Sequence, residues 1–251
     1  MSGHSKWASI KHKKAATDAK RGKIFSRIAK EIIVAAKMGG GDPNMNPRLR
    51  TAISTAKSAR MPNDNIDRAI KRGTGEIEGA AYEELTYEAY GPGGVAMLIE
   101  VLSDNKNRIA AEVRIVITRK NGNLASGGSV AWIFDKVGMI RIAKEECDED
   151  TAFAIATEAG ADDFQVQNDA YEITASLDSF EAVKAGFEGK EIKMEIAEIT
   201  YIPKNTVKVE GKEAMQVLGL IEAIEDLEDV QNVYANFDIS DEEIEKFSGG
   251  Q

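Results

Sequence analysis

The apolar pattern of this chain changes period near Gly75, and that change restricts the fold more than any other feature of the sequence. Before it, apolar residues recur every three or four positions, the spacing of one buried helix face. Ile24, Phe25, Ile28, Ile32, Ala35 and Ala36 predict a helix over 17–38. Gly39-Gly40-Gly41 should end it, because glycine accepts the left-handed terminal conformation. A second helix follows, with Asn46 as its cap, Pro47 in its first turn and Leu49, Ala52, Ile53 and Ala56 facing inward. A third starts after Pro62 and stops near Gly73. Three short amphipathic helices predict a small bundle.

Beyond Gly75 the apolar residues alternate or run continuously over short stretches, the signature of strands. "LTYEAY" and "VAMLIEVLS" read as strands joined by "GPGG", "NKNRIAAEVRIVITRK" as a helix and "SVAWIF" as another strand. The order from "GMIRIA" to "KMEIAEITYI" is strand, helix, two strands, helix, strand, a complete ferredoxin-like unit. A last helix over 213–227 and a last strand, "VQNVYANFD", can complete the unit begun at Leu85. The expected fold class is therefore α+β: an N-terminal helical bundle followed by two ferredoxin-like α/β domains, one inserted in the other. The expected domains are 1–77, the discontinuous 78–135 plus 207–251, and the inserted 136–206.

Charge divides at the same point. The chain carries 32 Lys and Arg against 42 Asp and Glu, for a formal net charge of −10. Residues 1–75 hold 17 of those cations and only five of the acids, a balance of +12, which leaves −22 for the remainder. Such asymmetry points to a polyanion-binding module joined to an acidic body. The competing explanation is that the basic segment neutralises the body within the molecule. On the first helix Lys20, Lys23, Arg27, Lys30 and Lys37 fall opposite the apolar face, with almost no acid among them. Arg48 and Arg50 add charge to the second helix. Residues 2–16 have no sustained apolar period and read as an arm ordered by a phosphate backbone through counterion release. Within it Trp7 and His12, set among Lys6, Lys11, Lys13 and Lys14, are candidates to stack on an exposed base; for Trp7, packing back onto the bundle is the equal alternative. Lys106 and Arg108, at the entry to a later helix, suggest a second contact, since helix N-termini favour anions; an ordinary strand-to-helix connection is the competing and slightly better reading.

Enzymatic readings find little support. There is no G-x-x-x-x-G-K-[ST] for a phosphate loop. With only His4, His12 and Cys147 as soft ligands, one chain cannot assemble a structural zinc site. A nucleophilic triad would have to draw a histidine from the charged arm. No catalytic residue, metal or cofactor is expected. Hydrophobic content of 43% suffices for a core, and no apolar run is long enough to predict a membrane span. A single cysteine fits a reducing cytoplasm, and a monomer is expected.

The motifs "GHSKW", "IKHKK", "KRGKIF", "DPNMNPRLRTAI", "MPNDNIDRAIKRGTG", "YGPGGVAMLIEVLSDNKNR" and "NGNLASGGSVAWIF" closely resemble the YebC/PmpR family, whose relatives include the mitochondrial translational activator of cytochrome c oxidase I. The resemblance is dense through about residue 140. It implies a cytoplasmic, non-enzymatic protein described as a DNA-binding transcriptional regulator, or alternatively a ribosome-associated factor that holds rRNA or tRNA and relieves stalling at proline runs. Carried over by position, it places Lys6, Lys11, Lys13, Lys14, Lys20, Arg21 and Lys23 on the nucleic-acid surface. Arg60 departs from the family pattern, which has asparagine before the Met-Pro pair.

Overall fold

A computed structural model describes residues 18–249 of the chain. Three helices come first: α1 (Asp18–Gly39), α2 (Pro47–Ser58) and α3 (Asn63–Thr74). The predicted punctuation is present. Gly40 takes a φ of +84° just after α1, a conformation that strains any residue with a Cβ. Asn46 caps α2 by accepting a hydrogen bond from the Leu49 amide at 3.1 Å, and Pro47 occupies the first turn. Ile28, Ile32, Leu49, Ala52, Ala56 and Ile66 close a core among the three helices. Each large aliphatic side chain buried there contributes about 1.5–3 kcal/mol.

The strands that follow form a sheet with β1 (Glu83–Tyr90), β2 (Ala96–Ser103), β3 (Asn123–Leu124) and β9 (Val230–Ala235) in the order β3-β1-β2-β9. All neighbours are antiparallel. Helices α4 (Lys106–Arg119) and α7 (Gly211–Glu225) cover one face. Their apolar stripes, Ile109, Val113 and Ile117 on one and Val217, Leu220 and Ile221 on the other, meet Met97 and Ile99 of β2 in a single core. Two short strands, β8 (Val207–Lys208) and β10 (Phe237–Asp238), pair in parallel, and α8 (Asp241–Gly249) closes the described chain. The three helices and this sheet belong to one compact unit, 18–131 and 206–249.

The second unit, Trp132–Asn205, is contiguous. It runs β4 (Phe134–Ala143), α5 (Glu149–Glu158), β5 (Asp163–Val166), β6 (Ala170–Ala175), α6 (Phe180–Glu188) and β7 (Ile196–Pro203). The sheet order β5-β6-β4-β7 is that of the ferredoxin-like βαββαβ motif. Asp148 caps α5 by accepting from the Thr151 amide at 2.9 Å. Gly138 is required in β4, because an added Cβ would lie 2.2 Å from the Phe180 ring.

Two of the expected strands take another form, and β3, β8 and α8 fall outside the sequence expectation. "SVAWIF" is not a strand but a 3₁₀ turn, Ala131–Ile133, leading into β4. Its amides are already committed: the buried Glu88 carboxylate accepts from the Gly128, Val130 and Ala131 N–H groups, so these residues have no donors left for a ladder. The two-residue β3 takes the place in the sheet that this segment was expected to fill. "VQNVYANFD" is likewise two strands, not one. Asn236, buried between them, turns its side chain to accept from the Ala96 amide at 2.7 Å.

Candidate nucleic-acid interface

The cations read from the sequence separate into three groups. Lys6, Trp7, Lys11, His12, Lys13 and Lys14 lie outside the described residues. Lys20 and Arg21 lie in the first turn of α1, with side chains outside the described set. The remainder can be placed.

Lys23, Arg27 and Lys30 recur at i, i+4 and i+7 of α1, so they form one stripe. That stripe faces the C-terminal end of α7 and the turn after it. Lys23 Nζ donates to the Asp226 carboxylate at 2.8 Å and to its carbonyl at 3.3 Å. Arg27 Nη2 donates to the Glu225 carbonyl. Lys30 Nζ donates to the Glu228 carbonyl at 3.1 Å and to Asp229 Oδ1 at 2.5 Å. The last carbonyls of a helix lack intrahelical partners and carry partial negative charge. Lys23 and Arg27 therefore act as the cap of α7, and Lys30 holds the turn that follows it.

The three interactions are not equal. Lys23 remains half-exposed, whereas the Lys30 and Asp229 side chains retain only 7% and 5% of their surface. Burial alone would raise the Asp229 carboxyl. Hydrogen bonds from Lys30, Ser103 (2.6 Å) and Arg108 (2.7 Å) outweigh it and hold the group below its ordinary value. Lys30 also lies 5.6 Å from the Tyr82 ring centroid. Together with Asp104, Glu112 and Glu228 these residues line a cleft of about 340 Å³. Among the described residues, no group of three His, Cys, Asp or Glu is arranged to hold a metal ion.

Arg48 is engaged too, donating through Nε to Glu31 at 2.7 Å and pairing with Glu84. Arg108 pairs with Asp104 at 2.9 Å as well as with Asp229. Arg50 is exposed, with a weak 3.4 Å hydrogen bond to the Pro43 carbonyl, and Lys106 is exposed. Six further cations of the module, Lys37 of the predicted polar face together with Lys57, Arg60, Arg68, Lys71 and Arg72, are all exposed. None has a side-chain ion pair or hydrogen bond among the described residues. A signal was present for α3: Arg68, Lys71 and Arg72 lie off the stripe of Ile66, Ala69 and Ile70.

Comparison with known proteins agrees with this architecture of a basic helical module followed by two α/β parts. Residues 5–76 match the TACO1/YebC protein N-terminal domain, and residues 82–237 match the TACO1/YebC second and third domain. A protein of Natranaerobius thermophilus is 56% identical over 248 residues, 98% of this chain and 99% of its own length. One from Dictyoglomus thermophilum is 57% identical over 249 residues, 99% of this chain and all of its own. Both carry the name "Probable transcriptional regulatory protein". The crystal structure of a conserved hypothetical protein from Aquifex aeolicus, 44% identical, superposes with a TM-score of 0.83 over 91% of this chain and 94% of that one. The chain belongs to the TACO1/YebC family. No described helix is long and apolar enough to cross a membrane.

Proposed function

We propose that this protein regulates gene expression by binding the phosphate backbone of nucleic acid through its N-terminal module, working in the cytoplasm as a monomer and not as an enzyme. One observation carries the reading. After every internal ion pair is subtracted, the three helices still present seven exposed cations: Lys37, Arg50, Lys57, Arg60, Arg68, Lys71 and Arg72. A module whose charge served only to neutralise the acidic body would leave few over. The names of the relatives support a regulatory role. Clustered cations without a fixed base-reading face support backbone binding, which positions a protein on nucleic acid without reading sequence.

The reading assigns different tasks to the basic residues. Arg27 and Lys30 hold α1 against α7, and Arg48 ties α2 to Glu31 and Glu84. The arm residues Lys6, Lys11, Lys13 and Lys14, with Trp7 and His12, and the residues Lys20, Arg21, Lys37, Arg50, Lys57, Arg60, Arg68, Lys71 and Arg72 bind phosphate and bases, while the half-exposed Lys23 stands between the two tasks. The division of the first compact unit into a helical domain, 1–77, and a discontinuous α/β domain, 78–135 plus 207–251, belongs to the same reading. Separate cores for the helices and for the sheet support it. The inserted domain is read as 136–206.

Crosslinking in cells, followed by sequencing of both bound DNA and bound RNA, tests the proposal. Promoter footprints with altered transcript levels identify a transcriptional regulator. Crosslinks to rRNA or tRNA, with altered ribosome occupancy before any change in mRNA, identify a translational one. Recovery of neither nucleic acid overturns the proposal.

A further inference from the structure

Helix α4 departs from the charge of everything around it. Residues 106–120 contain five cations, Lys106, Arg108, Arg114, Arg119 and Lys120, and one acid, Glu112. The rest of the chain after Gly75 has ten cations and 36 acids. Four of those ten cations are in ion pairs with the acids around them. Arg141 meets Asp169, Glu172 and Glu195, Lys208 meets Glu210, Lys204 meets Asp135, and Lys184 meets Glu188.

On α4 only Arg108 is engaged. Lys106, Arg114, Arg119 and Lys120 are all exposed, with no side-chain ion pair or hydrogen bond among the described residues. The local sequence explains why. A solvated helix face normally sets Glu or Asp three or four positions from each cation. Arg114 has Ala110, Ala111, Ile117 and Thr118 at those positions, and Arg119 has Ile115 and Val116 behind it. Between the two arginines the exposed surface is Ala111, Ile115 (48% exposed) and Thr118, with no carboxylate.

We propose that this face of α4 is a second binding surface for the sugar–phosphate backbone, taking the same nucleic acid that the helical module holds. The inference rests on the reading given under Proposed function and extends it to the acidic half of the chain. Arg114 and Arg119 flank the exposed strip of Ala111, Ile115 and Thr118. They lie about 7.5 Å apart along the axis at 1.5 Å per residue, the span of about two phosphates of one strand at about 3.4 Å each; Lys120 follows at the helix end. Arginine suits the task, because its planar fork matches phosphate oxygens in pairs. The start of α4 is fixed to the helical module: Asp229 holds Lys30 of α1 and Arg108 of α4 at once. The fold therefore holds the helical module and α4 in a fixed relation through one carboxylate.

The test uses the full chain and two labelled probes, an RNA hairpin with a 20-base-pair stem and a DNA duplex of the same sequence. Binding is followed by anisotropy between 50 and 200 mM salt. The triple variant Arg114→Gln, Arg119→Gln, Lys120→Gln should weaken binding about tenfold at low salt and reduce the log–log salt slope by about 2 to 3. The control Lys190→Gln, Lys193→Gln, Lys212→Gln changes net charge equally at other exposed cations and should bind as the parent does. Circular dichroism melts should coincide for all three proteins, since the substituted side chains are exposed. If the parent binds neither probe, the proposed function fails and this surface with it. If the parent binds and the α4 variant matches it in affinity and slope, only the α4 surface is overturned. Equal weakening in the control overturns it as well, by reducing the effect to net charge.

Discussion

Helices α1 and α3 are both basic and amphipathic, yet the structure uses their cations in opposite ways. The stripe of Lys23, Arg27 and Lys30 on α1 is turned toward the end of α7, and its last member is buried. Arg68, Lys71 and Arg72 on α3 stay in solvent. Helical periodicity identifies the polar face of each equally well. What it cannot supply is the neighbour, because the partners of the α1 stripe lie 198 to 203 residues away in sequence. A basic helix face is thus evidence of an anionic partner, and that partner can be the protein's own helix terminus.

The sharpest way to break this comparison is at Lys30. Replacing it with Met leaves the Asp229 carboxylate buried with two of its three side-chain donors, Ser103 and Arg108. Removal of one member of a buried pair costs about 3–5 kcal/mol, and the remaining donors place the expected loss near the lower bound. Adding Asp229→Leu to Lys30→Met should restore much of it, because the double replacement leaves no unpaired charge between the two positions. Urea unfolding of the four proteins in the cycle measures this. A Lys30→Met chain as stable as the parent would make the α1 stripe an ordinary solvated face.

Acid sharpens the same point with a smaller effect. Because the folded Asp229 carboxyl lies below its ordinary value, its contribution is complete above the unfolded value of about 3.9. It is lost as pH falls through the folded value. Between about pH 5 and pH 2 the parent should therefore lose stability more steeply than Asp229→Asn, whose amide does not titrate. Parallel curves would show that other carboxylates account for the acid limb. Glu88, held low by the backbone amides from Gly128 to Ala131, which outweigh its burial, should add a second such component.

How much of this was legible beforehand follows from the range of the interactions. The helix boundaries at Asn46-Pro47 and after Gly39, and the whole βαββαβ unit, rest on local signals: caps, glycines and periodicity over neighbouring residues. They could be read. "SVAWIF" misled because its apolar run resembles a strand, while its amides belong to Glu88 about 40 residues earlier. "VQNVYANFD" misled because Asn236 spends its side chain on Ala96, 140 residues away. The charge division at Gly75 indicated a polyanion-binding module. It did not indicate that Arg27, Lys30 and Arg48 would be committed within the fold, nor that α4 would carry unpaired cations. Those facts depend on which acids and free carbonyls fold to within reach of each cation, about 4 Å for an ion pair.

Within the α1 stripe itself a gradient is expected. Lys23 and Asp226 are 50% and 69% exposed, and exposed pairs contribute about 0.2–1 kcal/mol. Lys23→Ala should therefore cost far less than Lys30→Met, and high salt should erase the difference from the parent. If Lys23→Ala proved as damaging as Lys30→Met, the interaction would depend on charge count along the stripe and not on burial.

The smallest expected effect on folding is at α3, and there the comparison is decided by function. Arg68→Gln, Lys71→Gln and Arg72→Gln together remove three exposed cations with no ion pair among the described residues. Surface changes of this kind shift stability by about 0.5 kcal/mol or less each. Relief of mutual repulsion among neighbouring cations can even offset part of that. The same triple variant should nevertheless lower the salt slope of nucleic-acid binding by about 2 to 3, slightly less than one unit for each phosphate no longer neutralised. Lys30→Met, measured well below its unfolding transition, should leave that slope nearly unchanged, because a buried ammonium neutralises no phosphate. A slope that responded to Lys30 and ignored α3 would reverse the assignment of the two helices, making α1 the binding face and its docking on α7 a competitor for the same cations.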